Sequence, residues 1–195
     1  MKTAFFDIDT QIDFLFPAGA LYVPGAERLL PAIVQLNRHA ASRGLPLVSD
    51  VDAHTENDPE FKVWPPHCVA GTAGQAKPAA TLLENRVVIP NRPVDIRVEG
   101  AAQIVFEKQK LDLFTNPNIS ALLEALGADE YVVYGVVTEY CVRCAALGLL
   151  ATGKPVTLVT DAIQTLKQED AERTFGEFRG LGGRLATVAE IIGRK

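Results

Sequence analysis

The chain is poor in sulfur and imidazole: its 195 residues include three cysteines, one methionine, one tryptophan and three histidines. An odd cysteine count gives no disulfide framework, and reduced thiols suit the cytosol. A basic stripe is also missing. Nineteen Lys and Arg are interspersed with twenty-four Asp and Glu for a net charge of −5, so nothing in the pattern would neutralise a phosphate backbone, and nucleic acid is not an expected partner. No apolar run approaches the roughly 18 residues of a membrane span. The first residues lead straight into a predicted strand instead of showing the charged, apolar and cleavage-site succession of a secretory signal. These absences predict a cytoplasmic protein with no membrane partner, and neither internal repeats nor low-complexity tracts complicate the reading.

What is present is apolar content, 48% of residues, enough for one sizeable core, and a single domain over residues 1–195 is expected. Predicted strands at Ala4–Ile8, Pro46–Val48, Arg86–Pro90, Ile104–Phe106, Tyr131–Val137 and Val156–Val159 alternate with predicted helices. The helices pass through Leu29, Ile33, Leu36 and Ala40, lie near Asn118–Leu126, follow Cys141, and run from Gln168 to Arg179. Such alternation implies an α/β fold, a three-layer α/β/α sandwich around a mainly parallel sheet. The stretch from Ser49 to Ala79 shows little periodicity and contains Pro59, Pro65, Pro66, Gly71 and Gly74. Loops of that length are usually functional or disordered, and Phe61 and Trp64 argue against disorder.

Cys141 stands where the strand Tyr131–Val137 gives way to a helix. The carboxyl ends of strands form the ligand crevice of open α/β sheets, and a helix N-terminus adds partial positive charge and unpaired N–H groups. A thiol there is expected to ionise more easily, as a nucleophile beside donors for an oxyanion. The plainer reading is a buried, inert cysteine, since free Cys is among the most buried residue types.

Two other strand ends carry further signals. The first strand runs into Asp9-Thr10-Gln11-Ile12-Asp13-Phe14, and a later one, Ile104-Val105-Phe106, ends at Glu107-Lys108. With Thr138-Glu139-Tyr140-Cys141-Val142, these resemble the three signature segments of the isochorismatase-like cysteine hydrolases, and the similarity extends from about Lys2 to Glu190. The resemblance implies a catalytic triad of Asp9, Lys108 and Cys141. It also implies an oxyanion hole from the backbone N–H groups of Val137 and Cys141, with a cis peptide at Val136-Val137. Each residue alone has a duller reading: a capping Asp9, a surface Lys108. Asp7 reads as structural, Gln11 and Asp13 as loop-orienting, and His39 as an exposed helix residue.

Two of the three histidines, His54 and His67, fall in the 49–79 stretch with Asp52 and Glu60. Two His and one or two carboxylates make a plausible set for one divalent ion, Zn, Fe or Mn, with positions left open; by spacing alone, solvated loop residues remain as good an account. Resemblance to the nicotinamidases of the family implies that Asp52, His54 and His67 are ligands, on Asp-x-His and on the His of Trp64-Pro65-Pro66-His67-Cys68. Glu60 takes the place of another ligand, commonly His, with Glu56 or Asp58 as competitors. Cys68 reads as structural. The same resemblance makes Phe14 and Trp64 a clamp for a planar ring, although Lys108-Gln109-Lys110 lacks the Gly that often follows the lysine in nicotinamidases.

The reading that follows is a cysteine amidohydrolase turning nicotinamide into nicotinate and ammonia, with a small-molecule amide as partner, one divalent metal as cofactor and a homo-oligomeric state. The alternatives are a family amidase acting on a carbamoyl or ureido compound, and, remotely, an inactive binding module of the same fold. A true isochorismatase is disfavoured because those enzymes do not use the Cys.

Overall fold

In the computed structural model, which describes residues 1–193, runs rich in β-branched and aromatic residues form the strands, as their fit to a pleated, buried surface predicts. They are β1 (Thr3–Ile8), β2 (Leu47–Asp52), β3 (Arg86–Ile89), β4 (Gln103–Lys108), β5 (Glu130–Val136), β6 (Val156–Gln164) and β7 (Arg184–Ala186). All pairings in the seven-stranded sheet are parallel, in the order β3-β4-β2-β1-β5-β6-β7. The last two residues of the expected 1–195 domain lie outside the described residues. Every residue of β5 is buried, the signature of a strand covered on both faces.

The main helices are α1 (Ile12–Leu15), α2 (Leu30–Ser42), α3 (Ile119–Leu126), α4 (Arg143–Ala151), α5 (Gln168–Gly180) and α6 (Val188–Ile192). In α2, Ile33, Leu36, Asn37 and Ala40 are buried, one face at helical spacing. In α6 a capping box joins Thr187 and Glu190. The crossovers β1-α2-β2 and β5-α4-β6 travel in opposite directions across the sheet, so right-handed connections put α2 and α4 on opposite faces. Packing agrees: α2 lies on β1 and α6, whereas α4 lies on β5 and α5.

The chain reverses its direction of winding between β1 and β5, which makes the carboxyl ends around this pair the switch-point crevice of the sheet. Gly135 lets the two strands close there. It faces Ile8 in the register with φ of 122°, and a Cβ at that position would stand 2.0 Å from the Ile8 carbonyl oxygen, so no other residue fits.

Several boundaries differ from the sequence reading. β2 continues through Asp52, because pairing with β1 on one side and β4 on the other satisfies its backbone despite the charges in Ser49-Asp50-Val51-Asp52. The irregular stretch therefore begins at Ala53; it contains short 3₁₀ turns at Pro59–Lys62 and Ala79–Thr81, and a lone bridge joins His54 to Val69. β6 runs on to Gln164 past the expected Val159. His39 is half-buried with its ring 6.0 Å from that of Phe5, so it is not simply exposed. Among the described residues no helix is long and apolar enough to cross a membrane.

Candidate active site

Four parallel strands deliver four polar residues to the same end of the sheet: Asp9 directly after β1, Asp52 closing β2, Lys108 closing β4, and Cys141 in a tight turn (Thr138–Val142) after β5. The Lys108 ammonium, with no exposure, is the hub. It donates to Asp9 Oδ2 at 2.9 Å and to Asp52 Oδ1, and lies 4.0 Å from Cys141 Sγ. A surface reading of Lys108 is thereby ruled out. The cis peptide stands at Val136-Val137, at the point where β5 turns toward Cys141.

The charges are held by one another. Burial alone would discharge Lys108, but the carboxylates of Asp52 and Asp9 outweigh it and keep the ammonium well above its usual pKa. Burial, reinforced by Asp52 and opposed by Lys108, raises the Asp9 carboxyl to about 6. Asp52 goes the other way: burial would raise it, yet Lys108, then His54 and His67, hold it far below the ordinary carboxylate range. The Cys141 thiol does not behave as the strand-to-helix position suggests. Burial pushes it well above its usual value, with Lys108 opposing. Among the described residues Asp9 Oδ1 has no hydrogen-bond donor, while thiol and carboxylate act on each other's titration, which suits a proton acceptor waiting beside its donor.

Asp52, His54 and His67 converge, with His54 Nε2 and His67 Nε2 at 3.6 and 3.7 Å from Asp52 Oδ2. The far side of each ring is tied down: His54 Nδ1 lies 3.1 Å from Asp58 Oδ2, and His67 Nδ1 lies 2.8 Å from the Pro65 carbonyl oxygen. Carboxylate and carbonyl partners of this kind are what orient imidazoles toward a metal. Among the described residues His54 Nε2 is buried without a hydrogen-bond partner, and against burial, which lowers the ring's pKa, Asp52 draws it upward, so this corner favours a positive charge. The donor set fits a divalent ion. Glu60 is not brought into this trio; its carboxylate gathers with His54 and Asp58, because the 3₁₀ turn at Pro59–Lys62, capped by Asp58, carries it to the pocket wall. Glu56, the other competitor, is exposed.

Loop scaffolding comes from the residues expected to orient. Gln11 brackets the Asp52 backbone, donating to its carbonyl at 2.8 Å and accepting from its N–H at 2.7 Å. Asp13 accepts from the N–H groups of Cys68 at 2.7 Å and Ala20 at 2.9 Å. Cys68 is fully buried and its thiol is pushed far up by burial, in keeping with a structural role. Cys141 is buried too, but it opens on a cavity.

That cavity is lined by Phe14, Trp64, Asp52, His67, Val137 and Cys141, so both expected clamp residues reach it. Sequence reading missed part of its wall. Tyr140, set before the thiol with φ −116° and ψ −105°, packs edge-on against Trp64 with centroids 5.7 Å apart. Leu111 and Leu166 add apolar surface at partly exposed positions. The Tyr140-Cys141 adjacency was the available signal for the first; the leucines come from loops with no local mark.

The fold is the parallel α/β sandwich of the isochorismatase-like hydrolases. The chain belongs to the isochorismatase family, whose domain model matches residues 3–190, and it is a hydrolase of the kind that cleaves amide C–N bonds. It is similar to the pyrazinamidase of Pyrococcus horikoshii solved in complex with zinc, at 30% identity and a TM-score of 0.79, over 96% of this chain and 99% of that one. It resembles the N-carbamoylsarcosine amidase of Thermoplasma acidophilum, at 25% identity and a TM-score of 0.77, over 96% and 97% of the two chains. The Escherichia coli nicotinamidase is 24% identical over 94% of this chain and 93% of that protein.

Proposed function

We propose that the chain hydrolyses nicotinamide to nicotinate and ammonia, with Asp9, Lys108 and Cys141 as its reacting machinery. The observation that carries this reading is the cavity itself: the thiol, the aromatic side chains of Phe14 and Trp64, Asp52 and His67 all open onto one pocket. Its lining holds no Lys or Arg among the described residues, so the carboxylate of a ureido acid, brought up to Asp52 and Glu60, would find no side-chain cation to meet it and would depend on the metal alone. A neutral, flat amide meets no such penalty, and a ring between aromatic faces gains about 0.5–1.5 kcal/mol beyond area burial.

In this reading Asp9 takes the thiol proton as Sγ attacks the carboxamide carbon, and Lys108 stabilises both anions by its charge. The new oxyanion is met by the N–H groups of Val137 and Cys141. Collapse breaks the C–N bond, Asp9 returns the proton to the departing ammonia, and the thioester is then opened by a water that Asp9 deprotonates. Asp52, His54 and His67 would hold one divalent ion of Zn, Fe or Mn, with Glu60 outside the trio. When bound, such an ion supplies a positive centre at the pocket wall that favours a ring nitrogen. The chain then works as one cytoplasmic domain, in a homo-oligomer, within pyridine-nucleotide salvage.

Ammonia release from a panel of nicotinamide, pyrazinamide and ureido acids, with and without chelator, tests the reading. Turnover of the ring amides, lost on chelation, supports it. Turnover of the ureido acids alone would replace it.

A further inference from the structure

Beside the Asp9 turn lies a second buried charge group that the reaction scheme leaves unused. Lys77, from the irregular stretch, is almost fully buried and pairs with the wholly buried Asp7 at 2.9 Å. Thr10 joins the two: its Oγ1 accepts from Lys77 Nζ and donates to Asp7 Oδ1 at 2.6 Å. Asp7 is anchored in turn by Asn37 Nδ2 of α2 at 3.1 Å and by Ser49 Oγ of β2 at 3.3 Å.

A buried ion pair gives little stability over well-packed apolar side chains of similar volume, so this one calls for a different account. What it grips is the residue next to Asp9. Asp9 has φ of 49°, a left-handed conformation that Asp tolerates better than most residues but that still costs energy, so the contacts around it matter. Its N–H is already fixed to the Asp50 carbonyl at 3.0 Å. The Thr10 hydroxyl, held between an ammonium and a carboxylate, fixes the other side. We propose that Asp7, Thr10 and Lys77 form a clamp that positions Asp9, holding its carboxylate on Lys108 and beside the Cys141 thiol. The three are positioning residues, and the inference rests on the role of Asp9 in the proposed reaction.

The test uses the full chain in three variants: Thr10→Val, Thr10→Ser and the apolar pair Asp7→Leu with Lys77→Met. Thr10→Val keeps the side-chain shape and loses the link. Its kcat is expected to fall about 10-fold to 100-fold, the scale on which a misplacement of about 1 Å acts, while KM stays within about twofold. Alkylation of Cys141 by iodoacetamide should slow in parallel, because the proton acceptor is misaligned. Thr10→Ser should restore both. The apolar pair, where it folds, should show the same loss of kcat without a matching loss of melting temperature; the Thr10 variants decide the matter if it does not fold. Wild-type kcat and wild-type alkylation in Thr10→Val, or no recovery in Thr10→Ser, would overturn the clamp. Should the wild type turn over no amide, the proposed function fails, and the alkylation comparison still judges the clamp.

Discussion

The Lys108 ammonium stands 4.0 Å from the Cys141 sulfur in a site that leaves the lysine no exposure at all. Burial pushes the thiol's pKa up and Lys108 opposes it, so the ammonium is placed to hold the thiolate once Asp9 has taken the proton. Substitution of Cys141 by Ala should accordingly abolish turnover and leave the fold intact, since covalent catalysis has no substitute nucleophile. Because Asp9 can take its proton, Cys141 should carry the label when peptides are mapped after limited iodoacetamide treatment; preferential labelling of buried Cys68 or half-buried Cys144 would contradict the assignment.

Acid should silence the enzyme through Asp9. A carboxyl raised to about 6 is ionised above that pH and protonated below it, and only the ionised form can take the thiol proton. Thus kcat/KM should fall as pH drops through about 6, approaching tenfold per pH unit. A profile that stays level to about pH 5 would show that Asp9 is not held near 6 in the working enzyme.

Metal content should follow the trio. Purified protein is expected to carry close to one divalent ion per chain, lost in His54→Ala and His67→Ala. Asp58→Asn, which loosens the partner of His54 Nδ1, should weaken the site about 10-fold to 100-fold, and Glu60→Ala should weaken it less. Elemental analysis and metal titration check both; a metal-free, well-folded wild type would sink the site.

Gly135→Ala should destabilise the fold by at least about 1–3 kcal/mol, the cost of forcing a side chain into a conformation the backbone reserves for glycine. The Cβ would also press on the Ile8 carbonyl directly below Asp9. Thermal denaturation measures this, and an unchanged midpoint would show that β1 and β5 need not approach so closely.

Much of this arrangement is written locally. Buried parallel strands read as apolar runs, so Ala4–Ile8 and Tyr131–Val137 announced themselves, and Asp9, Lys108 and Cys141 could be placed at strand ends, while their joint role came from the family resemblance. That Asp50 and Asp52 belong to a strand was hidden because alternating carboxylates mask a strand whose burial comes from neighbours on both sides. The Asp7–Lys77 pair joins β1 to a distant loop, and no local pattern marks it. Misjudgement of the thiol has the same source: helix-end charge can be read from position, whereas the burial that outweighs it depends on the whole packed site.

The central claim is that the pocket reads a ring amide by both shape and ring nitrogen. Trp64→Ala should raise KM more than it lowers kcat, because stacking acts about equally on ground and transition states. The most direct measurement is kcat/KM for nicotinamide against benzamide, which keeps the ring and the amide and lacks the nitrogen. The account predicts a preference for nicotinamide of about 100-fold or more, since leaving a site's polar partner unmatched discriminates far more strongly than shape alone. Equal values for the two amides would contradict it.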